Sequence, residues 1–197
     1  MKVVPGFIFV LVFAAHAEDS LTIRTNYYAV SGATFRELRA DIAQRRPWTG
    51  DHDGYTSWKI DWTFTTSSSD AGCSVQSFQT KTAITITLPR WSPPSDADAD
   101  LKENWNKYLQ SLRAHEDGHK RIALAAASEI RKKVNALRSS SRAVPSPGGE
   151  GQGEGGLAGL SCAALQDALN RIGNNVINDF KQREKAYDIR TGHGRNS

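Results

Sequence analysis

Residues 104–130, NWNKYLQSLRAHEDGHKRIALAAASEI, set the fold, because their apolar residues recur at helical spacing. Leu101, Trp105, Tyr108 and Leu112 step by four, three and four residues. Continuing the walk lands on His115 and His119, and the stripe resumes at Ile122, Ala126, Ile130 and Val134. One face of a long helix therefore carries both histidines toward the body of the protein. The acidic run Asp96 to Asp100 suits its start, where the helix dipole favours negative charge, and the pattern fades near Leu137.

Upstream of this helix, Leu21, Ile23 and Thr25 alternate with polar neighbours up to Tyr27 and predict a strand. Thr34-Phe-Arg-Glu37 reads as a capping box, with Phe35, Leu38 and Ile42 behind it, so a short helix is expected from Thr34 to Gln44. Trp58, Ile60, Trp62 and Phe64 alternate with Lys59, Asp61, Thr63 and Thr65 in a half-buried strand. A second strand region runs from Cys73 to Leu88, where Pro89 is expected to stop the ladder. The short polar connection between these two strands predicts an antiparallel pair. Trp58, Trp62, Trp91 and Trp105 read as core and interface packing.

Past the long helix, residues 139–159 are rich in Gly, Ser and Pro and read as a flexible insertion. Ser161 is a fitting N-cap for a last helix whose buried face is Cys162, Leu165, Leu169, Ile172, Val176 and Phe180. That helix is expected to reach about Lys185, with a short tail holding Tyr187 and His193. Strand, helix, two strands, long helix, insertion and helix add up to one α+β domain, a small antiparallel sheet against two long helices. Its parts are residues 18–138, with the sheet and the long helix, and 160–197, with the last helix and tail.

The first 17 residues stand apart. Lys2 precedes an uncharged, mostly apolar run to Ala15, and Ala15-His16-Ala17 is an A-x-A cleavage signal. This reads as a secretory signal peptide spanning residues 1–17, too short in its apolar part to cross a bilayer as an anchor. The expectation is an exported protein, periplasmic or extracellular, with no stable membrane insertion after cleavage. In an oxidising compartment the 2 cysteines, Cys73 and Cys162, are expected to form one disulfide. The 197 residues carry a net charge of +4 with no long basic run, which leaves no footprint for nucleic-acid binding.

The chemistry lies in His115-Glu116-Asp117-Gly118-His119, an HExxH pattern on a helix. Residues four apart lie one turn apart on one face, so both imidazoles can reach one zinc ion. Glu116 is rotated by about 100° from His115 and can approach a water on that ion without ligating it. Zinc lowers the pKa of such a water, and a glutamate so placed accepts its proton as general base. Zinc needs a third protein ligand, and the HExxHxxGxxH extension is absent, with Ile122 and Ala125 at those places. Asp167, Asp179, Glu184, Asp188 and His193 on the last helix or tail, and His52 in the loop 49–54, are the candidates. Gly118 stands mid-helix, where it costs about 1 kcal/mol against Ala.

Four stretches carry a resemblance: Tyr28-Ala-Val30-Ser-Gly32-Ala-Thr34 with Glu37-Leu38-Arg39; Ile86-Thr-Leu88-Pro89-Arg90-Trp91; His115-Glu-Asp-Gly-His119-Lys120; and Tyr187-Asp-Ile-Arg-Thr191-Gly-His193-Gly194. Together they resemble a bacterial family of predicted secreted zinc-dependent proteases, classed as a domain of unknown function. The resemblance implies a metallopeptidase-like, zincin-like site and favours His193 as third ligand. Tyr187 then offers a hydroxyl that either stabilises an oxyanion near the metal or packs at the helix end. The expectation is a secreted zinc metallopeptidase acting on a peptide or protein substrate, with His115, His119 and His193 on zinc and Glu116 as base. The alternatives are a zinc-dependent cell-wall amidase and a non-catalytic metal-binding protein of the envelope.

Overall fold

Thr34 caps a helix as its sequence requires: its side chain accepts from Glu37 N–H, and the Glu37 carboxylate accepts from Thr34 N–H at 3.2 Å. The computed structural model in which this cap appears describes residues 18–70, 72–140 and 160–193. The elements are β1 (Ser20–Val30), α1 (Phe35–Arg45), β2 (Tyr55–Ser69), β3 (Gly72–Trp91), α2 (Ala99–Ser140) and α3 (Cys162–Thr191). The expected signal peptide, and the 139–159 insertion beyond Ser140, lie outside the described residues.

The protein is α+β, with three helices and a three-stranded sheet among the described residues. β2 and β3 pair antiparallel as the alternation predicts, with Trp58 opposite Ile84 and Ile60 opposite Thr82. The sheet as a whole is mixed, not antiparallel as expected, because β1 pairs parallel to β3. Between them lie α1 and the whole of β2, a crossover long enough for parallel pairing. The order β1-β3-β2 puts the longest strand in the centre and leaves β2 at an edge.

Pro89 does not end the ladder. It pairs with Tyr28, and β3 runs on to Trp91. On its other side β3 loses its partner after Thr87, opposite Tyr55, and a residue without N–H is tolerated where one edge is free.

α2 is the spine of the domain. Its middle buries Leu112 and Ala123 against Ile84, Ile86 and Leu88 of β3. Its C-terminal half packs Ala126, Ala127, Ile130 and Val134 against Leu165, Leu169, Val176 and Phe180 of α3. Ile130 and Leu169 are fully buried, which is worth about 1.5–3 kcal/mol for each side chain. Trp105, near the N-terminal end, joins Tyr28, Val30, Leu38, Ile42 and Trp91 in a second cluster under α1.

The disulfide joins Cys73 to Cys162, as expected, with their Cα atoms 5.0 Å apart. It ties the start of β3 to the first turn of α3 and closes a loop of 89 residues, worth at most about 4–5 kcal/mol in the chain-entropy view. Ser161 caps α3 by accepting from Ala164 N–H. α3 does not stop near Lys185; it continues to Thr191, so Tyr187 and Asp188 are helical residues rather than a tail. No helix among the described residues is long and apolar enough to cross a membrane.

Candidate metal centre

His115 and His119 project from the middle of α2, and both are buried, with 3 % and 7 % exposure. Their Nε2 atoms face each other at 3.3 Å. From α3, Asp188 brings its Oδ1 to 2.8 Å from His119 Nε2 and 3.3 Å from His115 Nε2. Three ligand atoms thus converge on one point, and they form the metal-competent group among the described residues. A tetrahedral zinc with arms of about 2.0–2.1 Å has ligand–ligand edges of about 3.3 Å, so the triangle suits such an ion.

Neighbouring groups set the ring orientations. Thr191 has one hydroxyl proton, and its Oγ1 lies 2.8 Å from the Tyr187 carbonyl and 3.1 Å from His115 Nδ1. Donating to the carbonyl leaves Thr191 to accept from His115 Nδ1–H, which turns the Nε2 lone pair toward the centre. Burial, then the adjacent His119, push the His115 pKa down to about 4 and keep that imidazole neutral. His119 Nδ1 faces Glu184 Oε1 at 3.4 Å, a charge contact rather than a formed hydrogen bond. Burial opposes charge on His119, but Glu184 and Asp188 outweigh it and raise its pKa. Trp58 Nε1 donates to the same Glu184 oxygen at 2.6 Å and holds the carboxylate in place. A proton on His119 would satisfy one edge of the triangle; a cation satisfies all three.

Glu116 is 2 % exposed and points between the centre and the start of β2. Thr56 donates to its Oε2 at 2.6 Å. Burial lifts the Glu116 pKa to about 7 against that hydrogen bond. The carboxylate leaves no room for a side chain at residue 54: a Cβ on Gly54 would sit 2.6 Å from Glu116 Oε1. Glu116, both histidines and Asp188 line one cavity of about 380 Å³, together with Tyr55, Thr56 and His193.

The other residues singled out in the sequence take different places. His193 adjoins the centre, with its Nδ1 3.6 Å from Asp188 Oδ1, but it stands outside the tight group in which Asp188 makes the third corner. Gly192 and His193 both have left-handed backbone, φ 56° and 55°. Such a conformation is strained for a residue with a side chain. His52 stacks on Trp48 and lies 5.8 Å, ring to ring, from His193, at the rim. Asp167 and Asp179 are exposed, and Asp179 pairs with Arg183. Tyr187 stacks on His115 with ring centres 5.1 Å apart and donates to the His115 carbonyl at 3.2 Å. It lines a separate hollow with Gly118 and Arg190 rather than the cavity of the metal centre.

Gly118 has its reason here. A Cβ at this position would lie 2.1 Å from the Tyr187 hydroxyl. Gly118→Ala is therefore expected to destabilise the domain by about 1–3 kcal/mol in denaturant titration, despite the better helix propensity of Ala. Adding Tyr187→Ala should recover part of that loss, and a non-additive double-mutant cycle is the check. A Gly118→Ala protein as stable as the wild type would mean that the helices do not pack this closely.

Sequence reasoning missed Thr56, Gly54 and Thr191. The signal for Thr191 was present: Phe180, Glu184, Asp188 and Thr191 continue the apolar stripe of α3 by steps of four, four and three. Thr56 and Gly54 carried no such signal, because they meet Glu116 across 60 or more residues of chain.

Residues 25–146, well over half of the chain, match the family described as a bacterial protein of unknown function (DUF922). The match takes in His115, Glu116 and His119 and ends before α3. No curated protein and no solved structure matches the chain.

Proposed function

We propose that this chain, which belongs to the DUF922 family of bacterial proteins, is an exported zinc-dependent peptidase. The observation that carries the reading is the triangle of His115 Nε2, His119 Nε2 and Asp188 Oδ1, with a buried carboxylate, Glu116, in the same cavity. Two imidazoles and one carboxylate are a ligand set of catalytic zinc, leaving a position for water or substrate. The reading takes Asp188 as the third ligand and His193 as the group that flanks it.

Bound there, zinc would polarise the scissile carbonyl and lower the pKa of an attacking water. Glu116 receives the proton of that water and passes it to the departing amine, and Thr56 keeps its carboxylate aimed during both transfers. Thr191 and Glu184 hold the two imidazoles in register. An extended peptide would lie along β2, whose outer edge has no strand partner among the described residues and whose Tyr55 and Thr56 reach the cavity. Export rests on the signal-like residues 1–17, and the disulfide agrees with an oxidising compartment.

The test is hydrolysis of an unfolded protein by the mature chain. Cleavage should disappear on treatment with a chelator and return with added zinc. Cleavage of peptidoglycan but of no peptide or protein would favour the amidase. No cleavage of either by zinc-loaded protein would favour a non-catalytic metal-binding role.

A further inference from the structure

A second cavity, of about 430 Å³, opens beside the metal centre between α1, the loop 51–53 and the first half of α2. Six apolar residues form part of its wall: Phe35, Leu38, Ile42, Leu101, Trp105 and Leu112. Asp51, His52, Asn104, Ser111 and His193 also line it. Arg39 pairs with Asp53 and Tyr108 donates to the same Asp53 oxygen at 2.9 Å, while Asp53 Oδ1 is shut away from solvent without a hydrogen-bond partner among the described residues. Phe35 stands at the cavity with 66 % of its surface exposed, although the other large apolar residues of α1, Leu38 and Ile42, are buried.

Two residues connect this cavity to the metal centre. His52 and His193 line both. The loop between them is braced: Trp48 Nε1 donates to the His52 carbonyl at 3.0 Å and Tyr28 donates to the Asp53 carbonyl at 2.6 Å. The cavity is therefore built into the fold and held open by groups that take no part in the metal site. Its volume falls within the usual range for ligand pockets.

We infer that this cavity receives a large apolar side chain of the substrate, Leu, Met, Phe or a similar residue, next to the bond held at the metal centre. This rests on the peptidase reading and names its substrate class. An ionised side chain would lose its hydration against the apolar part of the wall and would have to compete with the Arg39–Asp53 pair, whereas an apolar one gains by burial against six apolar residues. Small side chains would leave the space unfilled. Discrimination between a large apolar residue and Gly or Asp at that position should be at least about 10–200-fold, the range for a hydrophobic pocket.

The experiment uses the mature, zinc-supplemented chain and a peptide set randomised at the two residues flanking the cleaved bond. Peptides with Leu, Met or Phe on one side should exceed those with Gly or Asp by at least about tenfold in kcat/KM. Ser111 lines the cavity from α2 and is half-buried, so Ser111→Trp should fill it. The variant should lose at least about tenfold toward the large residues and change little toward Ala. Asn104→Trp, from an exposed position in the wall, gives the same reading if Ser111→Trp does not fold. Binding is read independently by calorimetric titration with a Phe-containing peptide, which Ser111→Trp should weaken by the same factor.

Cleavage without side-chain preference, or preferences unmoved by both variants, would overturn the inference and leave the peptidase reading standing. Absence of any cleavage would count against the peptidase reading. The calorimetric titration then decides for the cavity alone: weakening in the variant supports it, and equal or absent binding removes it.

Discussion

His115→Ala and His119→Ala are each expected to reduce the zinc content of the purified mature protein from about one ion per chain to near none. The three ligand atoms lie within 2.8–3.3 Å of one another, so none can be replaced by a neighbour without moving a helix. Zinc binding at structural-type sites totals about 10–16 kcal/mol, and losing one of three protein ligands removes several kcal/mol of it. Asp188→Ala should have the same effect as either histidine. His193→Ala should act less, because its ring reaches Asp188 at 3.6 Å without joining the group. Thr191→Val and Glu184→Gln leave the ligands in place and should lower affinity by about 10–100-fold, as expected of groups that only orient them. Elemental analysis and chelator competition give all of these values. Full zinc in Asp188→Ala with none in His193→Ala would move the third ligand to His193.

Glu116→Gln is expected to leave the protein folded and zinc-loaded while its hydrolytic rate falls by at least about 10²-fold. The amide keeps the size of the carboxylate and can still meet Thr56 across the 2.6 Å contact, so packing beside Gly54 should survive. What it cannot do is accept a proton. Removing the Thr56 hydroxyl with Thr56→Val should reduce the rate less, since the base remains and only its aim is loosened. Rates on the same unfolded protein substrate, with zinc content measured in parallel, separate chemistry from metal loss. A Glu116→Gln protein with full activity would place the catalytic centre elsewhere.

The long helix and the polarity of its central turn were legible because helical period is a local property. Spacing of 3–4 residues puts Trp105, Leu112, His115, His119, Ile130 and Val134 on one face whatever surrounds them, and all are buried. The capping box at Thr34 and the Ser161 cap were legible for the same reason, since each joins groups three residues apart. Pairing of the two cysteines followed from an even count in an oxidising context.

The end of α3 was misread because polar residues on an apolar stripe look like the end of a buried face. Glu184, Asp188 and Thr191 keep the step pattern and face a polar centre instead of a core.

From the sequence alone came what depends on residues close in the chain: the three helices, the β2–β3 pair, the caps, and the helical turn that puts His115 and His119 on one face. Only the tertiary structure decided what depends on distant residues meeting. The parallel place of β1 beside β3, the approach of Asp188 to the histidine pair across 69 residues, and the contact of Thr56 with Glu116 across 60 are of that kind. The fit of Tyr187 over Gly118, where only the missing Cβ leaves room, is another. These contacts form because burying the shared faces of α2, α3 and the sheet outweighs the entropy of closing long loops, and no short stretch of chain records that balance.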